Sequence, residues 1–234
     1  MKNITKAVAL GLGTVILSIG ISACVDTSVG VNARVDVNGS EVINTQLSTD
    51  EWETADIMEI TSTQKGLFAE AVSQLDGYFY EPIAMLATKT GSGTTFCFLC
   101  QSTIVADDSV NILKLTYIKL DDNGNASFVK DEDLLLPGAG DGTTVGSWAY
   151  ADSPEITDEI IDVINKASET LTGAVYEPVA YLGSQVVAGT NHAILCKAVP
   201  STSGLEDKGS YVIVYIYEDL EGNCEITETT DVDL

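Results

Sequence analysis

The sequence predicts an α+β protein built from two tandem units, each with one helix packed on a four-stranded antiparallel sheet. Three observations predict this fold. The chain repeats itself, each copy contains one amphipathic helical stretch, and each copy continues as strand-like segments separated by turns. A helix that covers one face of an antiparallel sheet is an α+β arrangement. A unit of fewer than about 100 residues can bury a modest core in this way.

The internal repeat has an offset of 96 residues. With this shift Trp52 aligns with Trp148, and the Tyr-Glu-Pro motif at 80–82 aligns with the same motif at 176–178. No gap is needed until two extra residues enter a loop late in the second copy. A repeat of this regularity predicts two similar domains.

Composition changes mark the predicted domain boundaries. The stretch PGAGDGTT between the copies is typical of a flexible connector. Ahead of the first copy, a polar segment alternates around Asn38-Gly39 and is either a tether or an added hairpin. The predicted order is a leader, this tether or hairpin, the first domain, a Gly-rich linker and the second domain, at residues 1–24, 25–47, 48–134, 135–145 and 146–234.

The elements are clearest in the second copy. The stretch SPEITDEIIDVINKASETL begins with a cap-like Ser153 and has Pro154 at the predicted first helical position. Apolar residues at helical spacing then form one face, namely Ile156, Ile160, Ile164, Ala167 and Leu171. Four predicted strands follow: residues 176–187, residues 190–198, YVIVYIYEDL and NCEITETTDV.

The first 24 residues predict an export leader. Lys2 and Lys6 form a positive region, and the apolar run AVALGLGTVILSIGI is too short and wrongly flanked for a membrane span. The run ends in ISAC, which resembles the processing box of bacterial lipoproteins. The resemblance implies lipidation at Cys24 and a protein anchored to the cell membrane, exposed outside the cytoplasm. The alternative is an ordinary secretory signal with an incidental cysteine.

The net charge of −24 argues against nucleic-acid binding, because an acidic surface repels phosphate backbones. Such a charge favours solubility and basic partners, and an exported soluble surface is the simpler explanation for it.

The CFLC motif does not predict a metal or redox site. It lies in TTFCFLCQSTIV, which is typical of a strand, and residues three apart on a strand point to opposite faces. Cys97 and Cys100 are therefore expected to be buried free thiols. A disulfide that uses Cys224 remains possible, because export permits one.

The sequence does not favour an enzyme. His192 is the only histidine, and its expected role is that of a half-buried strand residue. No Cys or Ser therefore has an evident histidine base, and no His-rich metal site can form. The acidic pairs Asp121-Asp122 and Glu218-Asp219 fall at predicted turns and are expected to be solvated. We expect no catalytic residue, no metal and no cofactor.

One predicted hairpin has an unusually apolar tip. In GSQVVAGTNHAILC two valines precede an Ala-Gly turn, whereas hairpin tips normally carry polar residues. The stretch SQVVAGTN resembles the signature hairpin of the cystatins, especially the stefin branch. SPEITDEIIDVINKA resembles the cystatin helix, and YVIVYIYEDLEGN resembles a later strand and second hairpin. The resemblance spans nearly all of residues 146–234.

The cystatin resemblance implies two tandem cystatin-like domains and reversible inhibition of papain-like cysteine proteases. The second domain would insert its QVVAG hairpin into the active-site cleft of the protease. The resemblance implies these protease-binding residues: Gln185, Val186, Val187, Ala188 and Gly189 of the first hairpin, Gly146 of the N-terminal segment, and Leu220, Glu221 and Gly222 of the second hairpin. Members of this family have an N-terminal glycine near the position of Gly146.

The first copy departs from this pattern at its hairpin. Residues 89–93 read Lys-Thr-Gly-Ser-Gly, and only the last glycine matches the QVVAG hairpin. The first domain is therefore expected to keep the fold and to lack the inhibitory loop. The alternative function for the whole chain is a surface binding or adhesion scaffold with no protease target.

Overall fold

The protein is described from a computed structural model. The structure describes residues 29–35, 41–47, 51–56, 58–139, 146–201 and 208–234. The leader, Cys24 and most of the predicted linker lie outside the described residues. The chain forms two compact units, Met1–Ser48 and Thr49–Leu234.

The first unit contains one antiparallel pair of strands. These are β1 (Val29–Val35) and β2 (Glu41–Leu47), with Val29 opposite Leu47 at one end of the ladder and Val35 opposite Glu41 at the other. Both strands fall within residues 25–47, for which the choice between a tether and an added hairpin stays a prediction.

The second unit contains two five-stranded antiparallel sheets and two described helices. The first sheet has the order β3-β4-β5-β6-β7 and the second the order β8-β9-β10-β11-β12. The elements of the first copy are β3 (Glu53–Thr54), α1 (Ser62–Val72), β4 (Tyr78–Gly91), β5 (Gly93–Ile104), β6 (Asp107–Leu120) and β7 (Ala126–Asp133). Those of the second copy are β8 (Trp148–Tyr150), α2 (Asp158–Ser168), β9 (Ala174–Val187), β10 (Gly189–Pro200), β11 (Ser210–Glu218) and β12 (Cys224–Asp231).

The predicted fold class, one helix on a four-stranded sheet in each α+β domain, is wrong. The structure is mostly β, and each helix accompanies a five-stranded sheet. The missed strands, β3 and β8, have two and three residues, which is too short for an alternating pattern. They form because they pair with a long neighbour, with Glu53 opposite Thr88 and Trp148 opposite Gln185.

The second helix also begins later than predicted. Its N-cap is Thr157, whose hydroxyl accepts a hydrogen bond from the Ile160 amide at 3.4 Å. Pro154 lies outside the helix, and its carbonyl accepts a hydrogen bond from the Tyr181 amide of β9 at 3.0 Å. The predicted start at Ser153 is wrong because this segment runs along β9 instead. Leu171, assigned to the apolar face, lies beyond the last helical residue and is exposed.

The offset of 96 residues relates the structural elements of the two copies. Helices α1 and α2, strands β4 and β9, and strands β5 and β10 each coincide under this shift. The bulges coincide as well, because the one between Pro82 and Ala84 matches the one between Pro178 and Ala180. The boundaries that the sequence gives for two domains stay a prediction.

The two sheets pack face to face, and each helix covers the outer face of its own sheet. The shared core contains side chains from both inner faces, among them Leu86, Leu99, Tyr117, Leu182, Leu195 and Ile213. The outer core of the second copy joins α2 to β10 and β11 through Val163, Ile194 and Val214. The outer core of the first copy joins α1 to β5 and β6 through Phe68, Phe98 and Ile118. The layers are therefore helix, sheet, sheet and helix.

Contacts between the sheets show how they are oriented. Thr54, near the β4–β5 hairpin end of the first sheet, donates a hydrogen bond to the carbonyl of Lys208 at 3.2 Å, and Lys208 lies at the far end of the second sheet. Conversely, the Leu136 amide, which follows β7, donates to the hydroxyl of Tyr150 in β8 at 3.3 Å. The end of the first sheet that carries the β4–β5 hairpin thus lies beside the end of the second sheet that is opposite the β9–β10 hairpin, and the reverse also holds. The two hairpin tips therefore point in opposite directions.

The cysteines follow the alternation of the strands. Cys97 faces the shared core and Cys100 faces the α1 side, which confirms the prediction that they point to opposite faces. All four described cysteines are free. Burial raises the pKa of the Cys97, Cys100 and Cys196 thiols to about 12. These thiols are therefore protonated and inert at neutral pH.

The Tyr211 hydroxyl provides a test of the sheet-to-sheet contact. It is buried and donates to the carbonyl of Leu86 in the other sheet at 2.8 Å. We expect Tyr211→Phe to lower the free energy of unfolding by about 0.5–1.5 kcal/mol, measured by urea denaturation. The loss stays modest because the Ala55 amide still donates to the same carbonyl.

The control for this test is Tyr176→Phe, which changes a less buried tyrosine on the outer face of the same sheet. An equal loss of stability in both variants would contradict a specific contribution from the contact between the sheets.

Candidate functional site

The hairpin between β9 and β10 exposes two valines at its tip. Val187 pairs with Gly189 across the turn at Ala188. Val186 is 68% exposed and Val187 is 45% exposed. Both side chains are therefore available to a partner, whereas Val163, Val212 and Val214 of the same copy are buried in its outer core.

Three side-chain hydrogen bonds hold this hairpin in shape. Gln185 donates through Nε2 to the Gly146 carbonyl at 2.7 Å, and its Oε1 accepts from Asn191 Nδ2 at 2.7 Å. The Tyr217 hydroxyl donates to the Ala188 carbonyl at 2.8 Å. The tip is thus fixed to the neighbouring strand on each side.

Gly189 is required by the close packing of the turn. Its φ is +139°, which L side chains rarely adopt. A Cβ at this position would lie 2.4 Å from the Glu218 carbonyl oxygen and 2.9 Å from the Tyr217 ring. The glycine therefore lets the hairpin lie directly against the end of β11.

The second hairpin, between β11 and β12, presents Leu220 with 86% of its surface exposed. Its turn is held by Asp219, whose Oδ1 accepts from the Glu221 amide at 2.8 Å and from the Asn223 amide at 2.9 Å. The hydrogen bond from the Asn223 side chain, followed by the backbone bonds, lowers the pKa of the Asp219 carboxyl. Gly222 has a φ of +82° and completes the turn.

All nine predicted contact residues lie at one end of the second sheet. The Gly146 segment leads into β8, which pairs with β9 through Trp148 and Gln185. Thr190, just after the first hairpin, pairs with Glu218, just before the second. The N-terminal segment, the first hairpin and the second hairpin are therefore adjacent along this end of the sheet. We call this surface at the end of the sheet, made of Gly146, residues 185–189 and residues 220–222, the wedge edge.

The corresponding end of the first sheet has a different tip. Gly91, Ser92 and Gly93 form its turn, and Lys119 donates through Nζ to the Ser92 hydroxyl at 3.0 Å. The second turn is similar in both copies, because Asp121 accepts hydrogen bonds from the Asn125 backbone and side chain as Asp219 does from Asn223. These bonds lower the pKa of the Asp121 carboxyl to about 2. The first copy keeps the turn geometry but has no apolar side chain at its tip.

The sequence did not single out Tyr217 and Asn191, although both fix the first hairpin. The alignment of Tyr217 with Lys119 gives no signal for this role, because only the structure shows that both side chains reach a hairpin tip. The structure also shows a partly buried group of hydrogen-bonded side chains beneath the wedge edge, made of Tyr181, His192 and Glu218.

No described residues form a cluster of three or more His, Cys, Asp or Glu side chains that could hold a metal ion. None of the helices in the described part of the chain is long and apolar enough to cross a membrane. Comparison with models of protein families gave no match, and a search of curated proteins found no similar protein.

Gly189→Ala tests the packing of the turn. We expect the variant to lose about 1–3 kcal/mol of stability, because the new Cβ clashes with backbone and the φ is unfavourable. Urea denaturation measures the loss. Gly173→Ala is the matched control, since a Cβ there meets nothing within 4 Å. Similar losses in the two variants would contradict the close packing of Gly189.

Asn223→Ala tests the turn of the second hairpin. We expect the pKa of Asp219 to rise towards the ordinary value of about 3.9, as measured by carboxyl NMR titration. The pKa of Asp219 is depressed in the folded protein. The ionised carboxylate therefore stabilises the fold at a pH above the ordinary pKa, and this contribution is lost as the pH falls through the lowered pKa. The control, Asn125→Ala, should raise the pKa of Asp121 and leave that of Asp219 unchanged.

Proposed function

We propose that the protein is a reversible inhibitor of papain-like cysteine proteases that inserts the wedge edge into the active-site cleft. The observation that carries this proposal is the pair of exposed valines, Val186 and Val187, on a hairpin fixed from both sides. An exposed apolar tip that is also well ordered favours a role in binding.

The chemistry of the tip suits a narrow cleft. Val186 and Val187 are β-branched and stiff, and each contributes about 1.5–3 kcal/mol if a partner buries it. Ala188 is small, and its carbonyl already accepts a hydrogen bond from Tyr217. A hairpin that is ordered before binding loses little entropy on docking. Such a tip can fill a cleft without presenting a peptide bond in a geometry that can be cleaved.

The wedge edge provides a longer contact than one hairpin alone. Gly146 lies beside Gln185 on one side, and Leu220 extends from the second hairpin on the other. Three adjacent segments can contact the cleft along its length. The proposed contact set is therefore the one implied by the sequence, with Gln185 and Gly189 holding the shape and Val186, Val187 and Leu220 providing apolar surface.

The same proposal places the inhibitor at the cell surface. The ISAC sequence supports lipidation of Cys24 and anchoring to the membrane, with the second unit exposed outside the cytoplasm. A papain-like protease outside the cytoplasm would then be the partner. The proposed protein needs no cofactor and performs no catalysis itself.

Inhibition of papain by residues 25–234 tests the proposal. We expect stoichiometric, reversible inhibition, and we expect Val187→Asp to weaken it at least about 100-fold, because a carboxylate would replace apolar surface in the cleft. Residues 25–234 are used because the first copy covers the inner face of the second sheet.

The matched control is Val175→Asp, which places the same charge on a valine that is 56% exposed at the other end of β9. We expect it to inhibit like the parent. Equal loss in both variants would contradict a role for the hairpin tip. Absence of inhibition by the parent at micromolar concentration would favour the alternative, a surface binding or adhesion scaffold.

A further inference from the structure

Ala188 is the single residue between the two strands of the first hairpin. Strand β9 ends at Val187, and β10 begins at Gly189. The Ala188 carbonyl accepts a hydrogen bond from the Tyr217 hydroxyl at 2.8 Å. Tyr217 lies near the end of β11, on the far side of β10 from β9. A side chain of the neighbouring strand therefore holds the backbone at the apex of the tip.

The Tyr217 ring also lies against the residue that follows Ala188. A Cβ on Gly189 would come within 2.9 Å of the ring carbon Cε2 and within 3.0 Å of the hydroxyl oxygen. The same Cβ would lie 2.4 Å from the Glu218 carbonyl oxygen, so Gly189 is packed closely against β11. Because a peptide group is planar, the Ala188 carbonyl and the Gly189 amide can turn only together. Tyr217 restrains this peptide group at its oxygen, and the close packing restrains Gly189.

Cleavage of the bond between Ala188 and Gly189 by a cysteine protease would require its carbonyl to turn towards the protease. The thiolate sulfur must form a bond with the carbonyl carbon, and hydrogen-bond donors of the protease must lie about 2.7–3.1 Å from the oxygen as it becomes an oxyanion. The C–N bond then breaks, the Gly189 nitrogen takes a proton, and water releases Ala188 as a carboxylate. A carbonyl that Tyr217 holds towards β11 is not free to reach those donors.

The first copy has a different contact at the corresponding place. Lys119 aligns with Tyr217, and Ser92 aligns with Ala188. Lys119 donates through Nζ to the side-chain hydroxyl of Ser92, whereas Tyr217 donates to a backbone carbonyl. The contact with the backbone carbonyl therefore accompanies the hairpin that carries the exposed valines.

We propose that Tyr217 is a positioning residue that keeps the hairpin tip an inhibitor rather than a substrate, because its hydroxyl holds the Ala188 carbonyl away from the oxyanion donors of the bound protease. This inference rests on the proposed function, and it assigns two tasks to different residues. Val186 and Val187 provide apolar surface for binding. Tyr217 determines how long the bound tip stays intact.

Tyr217→Phe tests this role, since it keeps the ring against Gly189 and removes only the hydroxyl. Residues 25–234 are incubated with papain, inhibition is followed over several hours, and mass spectrometry identifies the fragments. Cleavage at the proposed bond gives one fragment that ends at Ala188 and one that begins at Gly189. The matched control is Tyr176→Phe, which removes a hydroxyl from a half-buried tyrosine at the other end of β9.

We expect Tyr217→Phe to inhibit papain at first and then to lose inhibition, with cleavage after Ala188 about three- to tenfold faster than in the parent. The control should be cleaved no faster than the parent. Equal cleavage rates in Tyr217→Phe and the parent would overturn the proposal while leaving the proposed inhibition intact. Cleavage of Tyr217→Phe at many bonds would also overturn it, because that result would show a general loss of structure.

A second protease separates this inference from the proposed function. Proteinase K is a serine protease of broad specificity, and its oxyanion donors place the same requirement on a carbonyl. In limited digestion with proteinase K we again expect cleavage after Ala188 to be about three- to tenfold faster in Tyr217→Phe than in the parent. Equal rates would overturn the role of Tyr217, whatever the result with papain. Absence of papain inhibition by the parent at micromolar concentration would overturn the proposed function, and the digestion would still decide whether Tyr217 holds the carbonyl.

Discussion

The apolar inner faces of the two sheets must be covered, and the rest of the structure depends on how this is achieved. In the second sheet Leu182, Leu195 and Ile213 face away from α2, so the copy's own helix cannot bury them. The first sheet has the same requirement, and the two faces pack against each other. Burial of this many aliphatic and aromatic side chains outweighs the few polar links between the sheets. Each copy therefore completes the core of the other.

This packing decides where a functional site can lie. Both faces of each sheet are covered, one by a helix and one by the other sheet, and Val186 and Leu220 are exposed at one end of the second sheet. Because the sheets lie in opposite directions, the two hairpin ends are at opposite poles of the second unit. The first copy thus serves the second as a structural partner, and its own tip does not extend the wedge edge.

The two copies act as an internal comparison of what the fold needs and what one copy adds. Both keep the glycine at the first turn, the Asp-Asn turn of the second hairpin and the same bulges. These features maintain the backbone. The second copy has the exposed valines, the hydrogen bond from Gln185 to the Gly146 carbonyl, and the hydrogen-bonded side chains of Tyr181, His192 and Glu218. These features of the second copy lie together at one end of one sheet, as expected of a binding site on a shared scaffold.

The sequence by itself determined the repeat, the two helices, the long strands, the opposite orientation of Cys97 and Cys100, and the position of an apolar tip at residues 185–189. These depend on local periodicity and turn residues, which a linear pattern records. Only the tertiary structure decided the fifth strands, the start of α2 at Asp158 and the partners of Gln185, Tyr217 and His192. Two- or three-residue strands and side-chain bridges exist only when distant segments meet, as Trp148 and Gln185 do. The packing of one sheet on the other likewise arises because both copies have an apolar inner face, and no local pattern specifies which surface covers it.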